Sequence, residues 1–107
     1  NKAYRYQNGM MVNTENNMLL FYDGEDETVV TPPDCRGISY RAFYKTKAKC
    51  VRVSEGVSSI SDEAFAGTSG VSVIMPESID YIELSAFDGS SSLKMKLPER
   101  TSENEFF

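Results

Sequence analysis

Apolar residues recur along most of the chain with a period of 22 residues, and polar turns separate the copies. The clearest marker is an Ala-Phe pair, which occurs at residues 42–43, 64–65 and 86–87. Three apolar columns keep the same spacing; they are Ile38, Ile60 and Ile82, then Cys35, Val57 and Ile79, then Val51, Val73 and Met95. Sequence periods of about 20 to 50 residues are typical of solenoids, whose units bury their apolar faces only by stacking on one another. The pattern therefore predicts a solenoid with about three 22-residue units.

Each unit combines a short strand with a bend. Segments 71–75 (VSVIM) and 93–97 (LKMKL) alternate or nearly alternate, which predicts strands with one face toward the core. The inward residues are Val71, Val73 and Met75 in the first segment and Leu93, Met95 and Leu97 in the second. In segment 78–87 the apolar residues are spaced by three and four, which favours a 3₁₀ or helical turn. The predicted fold is therefore β-rich, with short strands and 3₁₀ or helical turns.

Residues 1–30 lack the repeat and are predicted to form an antiparallel β-meander. Asn8 and Gly9 form a strong two-residue hairpin turn, and residues 13–17 (NTENN) predict a second turn. A solenoid needs its open end covered, so we expect the meander to act as an N-terminal cap. Residues 31–107 are then the solenoid, and the whole chain is one folding unit.

The C-terminal segment begins a further unit. Phe106 and Phe107 arrive two residues early for the Ala-Phe column. They are expected to form a shortened last turn that plugs the core, or else the sequence ends within a longer array.

Composition and charge argue against two classes of partner. Apolar residues make up 40% of the chain, and no stretch approaches the roughly 18 to 20 apolar residues of a spanning helix, so no membrane insertion is expected. The 11 Lys and Arg are outnumbered by 16 Asp and Glu and are too scattered for a basic stripe. We therefore expect no nucleic-acid partner.

Residues for catalysis or metal binding are scarce. The chain has no His, so neither cysteine has the usual base beside it, and no pair of carboxylates falls in an apolar setting. Residues 23–27 (DGEDE) lack the glycine and glutamate spacing of a calcium loop, which favours a solvated loop. The sequence predicts no catalytic residue, no metal site and no cofactor.

The two cysteines are expected to face different environments. Cys35 falls in the inward column of Val57 and Ile79, whereas alternation directs Cys50 outward. Free thiols are therefore the prediction, with one disulfide as the alternative.

The repeat resembles the BspA-like leucine-rich repeat family, whose unit reads roughly P-x-x-V-x-x-I-x-x-x-A-F-x-x-C-x-x-L-x-x-I-x-I-P. The resemblance covers about residues 29–99. The apolar slots are filled by Val57, Ile60, Ala64, Phe65 and Val71 in one unit and by Ile79, Ile82, Ala86, Phe87 and Leu93 in the next. The family's cysteine slot instead holds Thr46, Thr68 and Ser90, and each unit is one residue shorter before its proline. The resemblance implies a curved, non-catalytic solenoid of a secreted or surface-anchored protein, used for adhesion or protein binding.

Two sets of residues follow from the repeat. The Ala-Phe and Ile columns predict a structural core with ring-on-ring stacking; its members are Phe43, Phe65, Phe87, Ile60 and Ile82. Alternation sends a second set to the opposite, concave strand face; its members are Cys50, Arg52, Ser72, Ile74, Lys94 and Lys96. This face, basic around an exposed isoleucine, is the predicted binding surface, and a merely solvated strand face is the alternative.

The leading functional hypothesis is an extracellular or cell-surface module that binds a protein or glycoprotein, including one of a host, through the concave face. The alternative is a structural spacer of a larger surface protein with no partner of its own. An enzyme is the least favoured class, because the sequence offers no nucleophile with a base and no carboxylate pair.

Overall fold

The computed structural model describes residues 3–92 and 94–97, which form a β-solenoid. Within these residues the strands are β1 Tyr4–Gln7, β2 Met10–Asn13, β3 Met18–Tyr22, β4 Thr28–Val30, β5 Gly37–Ile38, β6 Cys50–Arg52, β7 Ser59–Ile60, β8 Ser72–Ile74, β9 Tyr81–Ile82 and β10 Lys94–Lys96. They build two sheets. Sheet A has six strands in the order β1-β2-β3-β5-β7-β9, and sheet B has four in the order β10-β8-β6-β4.

The 22-residue period becomes the register of parallel strands. In sheet B, Val29 lies opposite Val51, Val51 opposite Val73, and Val73 opposite Met95. Each of these four inward positions is 22 residues from the next, so every coil contributes the same short strand. Valine favours such pleated, half-buried surfaces because its branched side chain packs well against the neighbouring strand. The predicted solenoid is confirmed.

The Ile column lies in strands of sheet A, so the helical spacing predicted there is wrong. Bonds of the 3₁₀ type occur instead in the turn that follows, where the N–H of Ala86 donates to the carbonyl of Glu83 at 3.0 Å. Ile38 pairs with Ile60 and Ile60 with Ile82, all in parallel strands, and the described residues contain no helix. The backbone groups here bond to the neighbouring coil: the N–H of Tyr81 donates to the carbonyl of Ser58 at 3.0 Å. A helical turn would satisfy those groups within one coil and leave the neighbour unpaired. The three- and four-residue spacings reflect a chain that bends around the core.

A column of stacked phenylalanines runs through the core. The rings of Phe43 and Phe65 are 5.0 Å apart and nearly parallel, and those of Phe65 and Phe87 are 5.3 Å apart. Phe43, Phe65 and Ile60 are fully buried. Ile82 and Phe87, in the last described coil, are half-buried and pack against the core. The Ala-Phe turns thus hold the rings at a spacing that favours aromatic packing.

The Ala-Phe turns also form a hydrogen-bonded ladder of their own. The N–H of Phe43 donates to the carbonyl of Ala64 at 2.7 Å, and the N–H of Phe65 donates to the carbonyl of Ala86 at 2.8 Å. The alanines are buried beside the rings, where a larger side chain would displace them. The pair therefore recurs because one residue fills the core and the other leaves room for it.

The N-terminal meander is confirmed, and it is continuous with sheet A. Strands β1, β2 and β3 are antiparallel, and Asn8 and Gly9 turn between the first two with φ of 55° and 80°. Both values suit a type I′ hairpin turn, which needs two left-handed residues. Strand β3 then pairs parallel with β5, with Met18 opposite Gly37. The meander and the first coil share one sheet. The boundary between a cap at residues 1–30 and a solenoid at residues 31–107 remains a prediction.

Some predictions concern positions outside the described residues. These are the inward placement of Leu93 and the plug formed by Phe106 and Phe107. Within residues 3–92 and 94–97, no helix is long and apolar enough to cross a membrane.

Candidate functional site

The six residues predicted for the binding face lie side by side on the outer face of sheet B. One row joins Cys50, Ser72 and Lys94, and the other joins Arg52, Ile74 and Lys96. The strands are parallel with a constant 22-residue offset, so equivalent positions are neighbours about 4.8 Å apart. Whether this surface binds a partner remains a prediction.

Two further residues belong to the same face. Strand β4 places Thr28 beside Cys50 and Val30 beside Arg52, and 52% of the Val30 surface is exposed. The sequence carried a signal for both, because Val29 occupies the inward column and its neighbours must point outward. We call the eight residues the outer face of sheet B; they are Thr28, Val30, Cys50, Arg52, Ser72, Ile74, Lys94 and Lys96.

The charges on this face are of one sign. Arg52, Lys94 and Lys96 are exposed, and within the described part of the chain none of them forms an ion pair. The face carries no acidic residue, although the whole chain has a net charge of -5. Ile74, which was expected to be exposed, is half-buried in its row between Arg52 and Lys96. The surface can therefore attract carboxylates while offering an apolar contact.

The two cysteines are free and differ in environment. Cys35 is fully buried in the core and donates its thiol to the carbonyl of Gly37, with a sulfur–oxygen distance of 3.2 Å. Burial raises the pKa of the Cys35 thiol. Cys50 is half-buried on the outer face of sheet B. Only the thiolate is nucleophilic, so Cys35 is suited to packing and not to reaction.

We expect iodoacetamide at pH 8 to alkylate Cys50 much faster than Cys35. The reagent needs both access and thiolate, and burial denies both to Cys35. Mass spectrometry of peptides over a time course measures the two rates. The Cys50→Ser variant should then show only the slow reaction, and equal rates in the native chain would contradict the burial of Cys35.

The described residues offer no metal centre. No group of three or more His, Cys, Asp or Glu side chains comes together within residues 3–92 and 94–97. In the acidic loop at 23–27, Asp23 accepts a hydrogen bond from the hydroxyl of Tyr6 at 2.7 Å, and this bond raises the pKa of Tyr6. Asp23 thus links the loop to β1.

A second side-chain cluster, which the sequence reasoning missed, lies on the turn at residues 40–45. The guanidinium of Arg41 lies 4.3 Å from the ring centre of Tyr44 and 5.2 Å from that of Tyr40. The ammonium of Lys45 lies 5.3 Å from the Tyr44 ring. The Nε of Arg41 donates to Glu63 of the next coil at 2.7 Å. The signal in the sequence was YRAFYK, whose outward residues differ from those of the other Ala-Phe turns.

Comparison with known families decides what kind of solenoid this is. The family model for the BspA-type leucine-rich repeat region matches residues 16–106, with six copies. The chain belongs to the BspA-type leucine-rich repeat family. No curated protein and no solved structure matches the chain.

Membership bears on function at a general level. Leucine-rich repeats commonly mediate protein interactions, and BspA-type repeats are common in surface or secreted proteins. Such solenoids typically serve as non-catalytic scaffolds. Since one fold supports many functions, the partner must be argued from the surface.

The BspA-type cysteine slot is filled here by hydroxyls, and two of them bond between coils. The Oγ1 of Thr68 and the Oγ of Ser90 are 2.8 Å apart and share a hydrogen bond, and Ser90 also donates to the carbonyl of Phe65 at 2.8 Å. Thr68 is almost fully buried, at 2% exposure, so its hydroxyl needs this partner. The slot is thus structural.

Proposed function

We propose that the chain is an extracellular or cell-surface interaction module that binds a protein or glycoprotein, including one of a host, through the outer face of sheet B. The observation that carries the proposal is the row of Arg52, Ile74 and Lys96 on adjacent strands. An isoleucine between two cations that no described residue pairs gives a partner both an apolar contact and charge complementarity.

The size of the face sets the expected affinity. Four strands at a separation of about 4.8 Å, each about 10 Å long, cover a small area compared with the roughly 800 Å² per partner of a stable complex. Contacts restricted to this surface suit weak binding, which display in several copies would strengthen by avidity.

The proposal is tested with immobilised protein and a panel of extracellular-matrix and mucosal glycoproteins at physiological salt. The double variant Arg52→Glu, Lys96→Glu should reduce binding at least tenfold, since it reverses both cations beside Ile74. The matched control is Arg36→Glu, Lys47→Glu, which changes the net charge equally but leaves the row intact. The comparison is valid only if both variants keep the thermal unfolding midpoint of the native chain.

Equal losses in the two variants would mean that net charge, and not this row, governs binding. If the well-folded protein bound nothing on the panel, the structural spacer would become the better interpretation, and the search would move to other domains of the same protein.

A further inference from the structure

The turns that carry the Ala-Phe pair provide an internal comparison. Residues 40–45 read YRAFYK, residues 62–67 read DEAFAG, and residues 84–89 read LSAFDG. The Ala-Phe pair is common to all three because the core requires it, whereas the flanking positions vary. The first turn carries two cations and no carboxylate, the second two carboxylates, and the third one. The aromatic and basic residues of the first turn are therefore not a requirement of the fold.

The side chains of the first turn pack against one another at the surface. Tyr40 is 57% exposed and Tyr44 is 38% exposed, and the Arg41 guanidinium lies over both rings. Glu63 engages only the Nε of Arg41, and no described residue bonds its terminal nitrogens. The rings hold the guanidinium in place, which lowers the entropy lost when it binds a partner.

The backbone of this turn places a non-glycine residue in the left-handed region. Lys45 has a φ of 56°, in the left-handed region, where the two later turns have Gly67 and Gly89. Only glycine takes this conformation without steric cost, so the two later turns avoid a cost that the lysine of the first turn incurs. Arg41 and its counterpart Glu63 in the second turn both have a φ of 55°, so only the strain at Lys45 is particular to the first turn, and strain of this kind is found at functional sites. The lysine places a second cation beside the Tyr44 ring.

We propose that residues 40–45 form a second interaction site, which binds an acidic segment of a protein partner. Tyrosine and arginine are, together with tryptophan, enriched among the residues that dominate the binding energy of protein interfaces. Glu63 already pairs with the Nε of Arg41, so the groups left for carboxylates of a partner are the ammonium of Lys45 and the terminal nitrogens of Arg41, which no described residue bonds. The tyrosine edges and hydroxyls suit peptide groups and apolar side chains. Arg41 lies over both tyrosine rings and Lys45 over that of Tyr44, which leaves less aromatic face for stacking on a sugar ring. The site shares no residue with the outer face of sheet B.

The test is selection from a random 12-residue peptide library displayed on phage, with a variant of the same chain as the reference. The variant carries the LSAFDG turn at residues 40–45, through the substitutions Tyr40→Leu, Arg41→Ser, Tyr44→Asp and Lys45→Gly. The fold already accommodates this sequence 44 residues later. We expect the native chain to enrich peptides with Asp or Glu beside an apolar residue, and the turn variant to bind them at least tenfold more weakly.

Two further variants define the outcome. Arg41→Gln, Lys45→Gln removes the charge and keeps the rings, so it should also lose binding, and it carries the test if the turn variant unfolds. Arg52→Glu, Lys96→Glu on sheet B should still bind the peptides, which separates this site from the proposed function. No enrichment over the turn variant, or equal binding by all variants, would overturn the proposal. Turn-dependent binding of heparin without peptide binding would also overturn it, since the partner would then be a polysaccharide.

Discussion

Replacing Phe65 by alanine is expected to lower the free energy of unfolding by about 3–5 kcal/mol, the usual range for truncating a large buried aromatic side chain. The side chain has no exposed surface, and its ring contacts Phe43 at 5.0 Å and Phe87 at 5.3 Å. The substitution removes both contacts and leaves a cavity between coils. A solenoid coil contacts only its neighbours, so the substitution weakens the packing of the central coil on both of them. Urea unfolding followed by circular dichroism measures the change.

Phe87→Ala is the matched control for Phe65→Ala. Phe87 is half-buried and lies in the last described coil, so a smaller loss is expected from the same chemical change. Because stacked repeats can unfold in stages, tyrosine fluorescence should be recorded alongside circular dichroism to test for a single transition. A loss below about 1 kcal/mol for Phe65→Ala would mean that the phenylalanine column is not the core.

The fold was predictable wherever one residue type had to recur in every coil. The Ala-Phe pair, the Ile column and the strand at Val73 each occupy a position that must stack on its own copy. A parallel pair with a fixed offset places copies of a residue side by side, so the period alone gives both the sheet and its register. This is why the two rows on the outer face of sheet B followed from alternation.

Two features of the fold could not be predicted from the period. The Ile column resembled a helical turn because a chain bending around a core also spaces its apolar residues by three and four. The pairing of β3 with β5 has an offset of 19 residues, with Met18 opposite Gly37, so it falls outside the 22-residue pattern. Hydrogen bonds between coils place the Ile column in strands. The turns of the meander set the offset between β3 and β5.

The second candidate site lies where the sequence departs from the repeat, so the search for repeats did not find it. The turn at residues 40–45 consists of ordinary polar and aromatic residues until it is set beside residues 62–67 and 84–89. Its organisation depends on side-chain geometry, such as the 4.3 Å between the Arg41 guanidinium and the Tyr44 ring. Spacing in the sequence does not report such a distance.

The double substitution Met10→Ala, Val12→Ala is expected to lower the free energy of unfolding by about 4 kcal/mol or more, as removal of two buried apolar side chains does. Met10 is 7% exposed and Val12 is 1% exposed, and both belong to the core cluster with Leu19. If residues 1–30 cap the solenoid, the buried side chains of β2 shield the core of the first coil from water, and truncating them leaves that core less well covered. The same urea titration measures the effect.

Met11→Ala provides the control for the double substitution, because Met11 lies between the two on β2 but points to the other face, opposite Tyr6 and Phe21. Its loss is expected to be about 1 kcal/mol or less. A large effect at positions 10 and 12 with a small one at 11 requires that β2 bury one face against the solenoid. Similar small losses at all three positions would mean that the hairpin adds strands to sheet A without sealing the core, and the first coil would then need another cover for its apolar end.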